Sequence, residues 1–209
     1  MKPEIKENLV WKITGRVGHV DGKPPDNWRD LLATRLGQRP RRIGMLAELA
    51  LYGALDCLDA ADEAILPKDA VLRVCSMHGA SAVISQVLEQ NQTELPMPFS
   101  FLQSQSSQLL PALATALKWQ GDAAIVMARD RMSLALLAAR QAGPNGMLLG
   151  WVEESPCSSQ WLRLARCAIR PENFTAAKSF GEMISSDVGY WRLGEAGIEI
   201  SLAQDCKTN

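Results

Sequence analysis

Histidine is scarce, with only His19 and His78, and the five cysteines (Cys57, Cys75, Cys157, Cys167 and Cys206) form no CxxC pair. An odd set of isolated thiols excludes a complete disulfide framework and a structural zinc site. Free thiols suit a reducing compartment, so a cytoplasmic protein is expected, with no cofactor and no metal. GxGxxG, GxxxxGK[ST], HExxH and GxSxG are all absent, which removes the common nucleotide, zinc-protease and hydrolase signatures. Charge of one sign is also missing. Twenty-two basic residues face 23 acidic ones, for a net charge of −1. No global field would gather nucleic acid or an acidic membrane. Apolar runs such as Leu134 to Ala139 fall far short of the ~20 residues that cross a bilayer. The start, MKPEIKENLVWKI, alternates charged and apolar residues and lacks the apolar core of a secretion signal, so none is expected.

What is present is ordinary for a globular chain: 209 residues, 47% hydrophobic and 22% charged. This suits one domain with a sizeable core, or one domain with an appendage. Leu9 to Val20 alternates and reads as a strand; DGKPP at 21–25 is a loop; Asp26 is placed to cap a helix over Asn27 to Leu36. Arg41 to Ala60 carries apolar residues at spacings of three and four and predicts a helix. Its small residues Gly44, Ala47, Gly53 and Ala54 would let it approach a sheet closely. Ala70 to Met77 reads as a strand, and Ser81 as the cap of a helix to about Gln90. Asn91 to Ser100 reads as a loop and Ser106 to Trp119 as a helix. Ala123 to Met127 is a short strand, Arg131 to Ala142 a helix, Gly146 to Val152 a buried strand, and Trp161 to Ile169 a further strand. Phe174 to Ile184 reads as a helix, and Gly197 to Leu202 as an edge strand or tail. Strands alternating with helices predict an α/β fold with a mixed, mostly parallel sheet of about five strands covered by helices.

Several segments together resemble the amino-terminal half of a thiolase-fold β-ketoacyl synthase. RRIGMLAELALYGALDCL resembles the helix opened by an arginine-rich turn, and AVLRVCSMHGA the second strand with its glycine turn. LPMPFSFLQSQSSQLLPALATALKWQGDAAIVMARD is similar to the loop, helix and strand that lead to the nucleophile. SLALLAARQAGPNGMLLGWVEES resembles the helix behind the nucleophile and the next strand. The likeness covers roughly residues 9 to 170, taken as a synthase-like domain over 1–170 with an extension over 171–209. The nearest variety is the short chain-length-factor-like proteins of aryl polyene and related lipid pathways.

That resemblance implies a reaction whose parts are missing here. The family holds an acyl chain on a cysteine thiolate at a helix N-terminus, where the dipole lowers the thiol pKa. In this chain the matching junction reads Ala128, Arg129, Asp130, with no sulfur, and both histidines precede it. The resemblance therefore implies a non-catalytic partner of a ketosynthase in fatty acid or polyketide-like biosynthesis. The alternatives are an acyltransferase or ketosynthase-like enzyme with an altered site using His78 or Cys75, or a homodimer that binds acyl carriers. The family pairs subunits through the strand before the nucleophile, here Ala123, Ala124, Ile125, Val126 and Met127. Phe99, Phe101, Gln103 and Gln105 would line the interface and acyl tunnel, or the phenylalanines would fill the chain's own core. Arg39, Arg41 and Arg42, with Arg35, form a basic cluster that is either a solvated helix start or a docking spot for acyl carrier protein. Asp130 reads as a salt-linked helix cap, Cys75 as a buried thiol, and His78 as a structural residue in a strand-to-helix turn. Glu153 and Glu154 would point to opposite sides and form no acid/base pair.

Overall fold

The computed structural model describes residues 9–18, 20–93, 98–168 and 171–203; His19 and Cys206 lie outside the described residues. The chain begins with β1 (Val10–Val17), α1 (Trp28–Leu36), α2 (Met45–Ala60), β2 (Val71–Ser76), α3 (Ser81–Thr93) and α4 (Pro98–Gln103). A 3-10 turn at Ser106–Gln108 leads into α5 (Leu109–Ala116), β3 (Asp122–Met127), α6 (Arg131–Gln141), β4 (Met147–Glu153) and β5 (Ser158–Cys167). β6 (Thr175–Ala176), α7 (Phe180–Met183), β7 (Val188–Leu193) and β8 (Ile198–Leu202) follow.

All eight strands form one sheet in the order β3-β2-β4-β5-β1-β7-β8-β6. β2 runs parallel to β3 and to β4. The other neighbours are antiparallel. The α/β class is as expected, but among the described residues the sheet has eight strands rather than about five, and parallel pairing is confined to β2, β3 and β4. The enlargement comes from residues 175–202. Phe174 to Ile184, expected as a helix, supplies a two-residue strand and one short helical turn.

Two apolar layers sandwich the sheet. On one face Leu72, Val74, Leu148, Val152 and Trp161 meet α1, α2 and α5. On the other, Val71, Cys75, Met147, Leu149 and Trp151 meet α6, α7 and the strands β7 and β8. β2 and β4 are buried along their whole length, as strands covered on both faces are, even though β2 carries Arg73 and Ser76. Two buried arginines are fully engaged. Arg73 bonds Gln141 Oε1 and Asp122, and Arg163 pairs with Glu63 at 2.8 Å. Gly53 carries α2 across β5: a Cβ there would stand 2.3 Å from the indole of Trp161.

The helix starts differ from expectation. α2 begins at Met45 with Gly44 as its N-cap at φ 80°, so the arginine-rich stretch is a turn before the helix. Asn27, not Asp26, occupies the cap position of α1, and Asp26 instead meets Lys23 at 3.5 Å. Ser81 lies within α3 itself.

Candidate functional site at the carboxyl ends of the parallel strands

The three parallel strands end together, and open α/β sheets place ligands beyond such carboxyl ends. β2 ends in Ser76 and is followed by Met77 to Gly79, after β3 come Ala128 to Asp130, and β4 ends in Glu153 beside Glu154. The backbone N–H of Ala128 donates to the Ser76 carbonyl at 3.1 Å. Gly79, at φ 60°, packs so closely that a Cβ would stand 2.5 Å from Ser106 Oγ and 2.6 Å from Met127 Cε. Both close atoms are free ends of side chains that can shift, so it is the positive φ that favours glycine here.

At the junction after β3, Asp130 is the N-cap of α6. Its Oδ1 accepts from Met132 N at 3.0 Å and its Oδ2 from the Ser133 hydroxyl. Those bonds, the Ser133 hydroxyl first, hold the carboxyl below the usual aspartate value. The expected salt link is replaced by this hydrogen-bonded cap. Arg131 turns away, donating to Gln160 Oε1 at 2.8 Å and lying over the Phe180 ring. The helix N-terminus that would activate a nucleophile is thus occupied by its own aspartate.

One thiol reaches this junction from a neighbouring strand, but it is buried. Cys75 sits within β2, is 2% exposed, and donates to the Ala128 carbonyl at 3.4 Å. Burial pushes its pKa up, as it does for Cys157, and pushes Cys57 to about 12. A raised pKa keeps sulfur as thiol, the unreactive form.

The two glutamates diverge as the strand pleat dictates, and each has a bracing task that the sequence alone did not reveal. Glu153 accepts from Ser76 Oγ at 3.1 Å, from His78 N at 3.2 Å and from Met77 N. The Nδ1 of His78 lies 3.4 Å from the same carboxylate, while the imidazole is half exposed. Glu154 accepts from Leu46 N at 3.1 Å and from Ala82 N at 3.2 Å. It therefore caps α2 and α3 at once and takes over the role expected of Ser81. Burial raises its pKa. The available signal was a pair of acids directly after a fully apolar strand, a place where buried carboxylates need backbone donors.

β3 is the edge strand, with no neighbour on its outer side among the described residues. Ala123, Ala124, Ile125 and Val126 are half-buried, and Met127 is 52% exposed. Phe101 is 54% exposed and does not fill the core. Gln103 is half-buried and Gln105 exposed. The side chain of Phe99 lies outside the described residues. Arg39 meets Asp30 at 3.4 Å, and Arg35 meets Asp56 and Asp59. Arg41 and Arg42 line a cleft. Among the described residues no cluster of three His, Cys, Asp or Glu could hold a metal ion, and no helix is long and apolar enough to cross a membrane.

No family model matches this sequence, and no curated protein matches it. A solved structure does. It is a ketosynthase (ApeO) in complex with its chain length factor (ApeC) from Xenorhabdus doucetiae, with a TM-score of 0.50 at 15% identity. The match covers 93% of this chain and 96% of that chain, so the two are of similar length. At this identity the likeness is one of fold, and a coverage of 93% carries it past residue 170.

Proposed function

We propose that this chain is a non-catalytic, chain-length-factor-type partner of a ketosynthase that elongates acyl groups held on a carrier protein. The observation that carries the reading is the junction after β3. A ketosynthase needs a thiolate there, and this chain instead has Ala128, Arg129 and a capping Asp130. The strand that leads to the junction is an open edge with partly exposed apolar side chains. Such an edge is a liability unless another strand covers it. Pairing β3 with the same strand of a ketosynthase would satisfy its free backbone groups. It would also bring Phe101, Gln103 and Gln105 beside the partner's acyl tunnel. In this reading Arg39, Arg41 and Arg42 offer a basic face to an acidic carrier.

Co-expression with a candidate ketosynthase, followed by size measurement, tests the pairing. The expected result is a one-to-one complex that is lost in Met127→Glu and in Ala124→Pro. Met127 is exposed, so its variant keeps the isolated fold. A complex that survives both variants would contradict pairing through β3. A stable homodimer that excludes the ketosynthase would replace this reading with that of a self-associating carrier-binding module.

A further inference from the structure

α2 and α6 bury whole apolar faces, and α3 does not. Among its described side chains Val87 is the one that is buried. Ile84 and Leu88 are both exposed. Positions four apart share a helix face, so α3 turns an apolar edge to water. One polar atom also works against its packing. The Oε1 of Gln90, in the last turn, is buried and has no hydrogen-bond partner among the described residues. A buried acceptor without a donor destabilises the packed state, and water relieves it once the helix lifts.

What holds α3 is polar and gathers at one end. The N–H of Gly79 donates to Ser76 Oγ at 2.8 Å, that of Ala80 to Ser106 Oγ at 3.3 Å, and that of Ala82 to Glu154 Oε2 at 3.2 Å. These acceptors belong to β2, to the 3-10 turn and to the residue after β4. Gly79, at φ 60°, is the pivot between β2 and the helix. Beyond this clamp, the described contacts of α3 are chiefly with α4. A helix clamped at its start, with little apolar burial and an unmet acceptor near its end, belongs to the low-stability part of a fold. We propose that α3 is a hinged flap that opens about Gly79 while the sheet stays folded. Opening bares Ala80 and the small cavity that it lines with Ile43, Leu46 and Ser106 beside the carboxyl-end site. The flap rests on none of the partner-subunit reading.

Hydrogen exchange of the full chain, read residue by residue by NMR with and without mild urea, tests it. The amides from Ser85 to Thr93 should share one rate, about 100-fold or more above that of β2 and β4. Mild urea should leave that rate nearly unchanged, because a local opening exposes little new surface. Val87→Ser should raise α3 exchange about tenfold and leave β2 and β4 unaltered. Gln90→Leu acts in the opposite sense: without the orphan acceptor, α3 exchange should slow about fivefold. That variant also covers the case in which Val87→Ser fails to fold. Exchange of α3 that matches β2 and β4 in rate and urea dependence would overturn the proposal. So would a gradient of rates along the helix, which means fraying only, or α3 exchange unchanged in a folded Gln90→Leu.

Discussion

At the end of β4 two adjacent carboxylates tie different parts of the molecule together. Glu153 gathers the turn after β2, and Glu154 gathers the first turns of α2 and α3. Replacing Glu154 by alanine strands two helix N–H groups, and a loss of about 1–3 kcal/mol is expected in a denaturant titration. Its pH dependence has a definite sign. Burial raises the folded-state pKa of Glu154 above its unfolded value. Between the two values the folded chain holds a proton that the unfolded chain has released, so its contribution to stability grows as pH falls through that window. The stability of the native chain relative to Glu154→Gln should therefore increase on acidification; a difference that shrinks would count against this account. Cys75 gives a second test at this scale. Covered by the sheet and bonded to the Ala128 carbonyl, it should resist alkylation in the folded protein and react freely once denatured. Rapid labelling of Cys75 without denaturant would revive the altered-enzyme alternative.

Among the elements, the parallel core was the part most legible in the sequence. AAIVM, GMLLGWV and the Arg131 to Ala142 segment lie within about a residue of β3, β4 and α6, because each is a local apolar pattern bounded by glycine or a polar cap. β7 escaped notice. Gly189 and Arg192 interrupt its pattern, and what makes it a strand is distant, namely pairing with β1 and burial of Trp191. The capping of α2 was illegible for the same reason: its donor and acceptor are 108 residues apart. The absence of sulfur after β3 could be read directly, whereas the cleft beside Arg41 could not, since four separate elements build it. Gly53 was recognised as a point of close approach, and its variant follows from the indole beneath it. Gly53→Ala should cost about 1–3 kcal/mol through overpacking between α2 and β5, read as a fall in the midpoint of thermal unfolding.

For the whole molecule, the strands after residue 170 matter as much as the parallel core. They cover the free edge of β1, and β7 and β8 help enclose α6. A chain ending at residue 170 would expose Trp11 and the edge of β1, and it should fail to fold cooperatively. What remains open among the described residues is the opposite edge, at β3, followed by Ala128, Arg129 and the capping Asp130, where the proposed reading places no acyl carrier group. The measurement that bears most directly on this is intact-mass analysis of the reconstituted complex after incubation with ketosynthase and acyl-loaded carrier protein. The expected spectrum shows the acyl mass on the ketosynthase and an unmodified chain here. A stable acyl adduct on this chain, formed without the ketosynthase, would contradict the account.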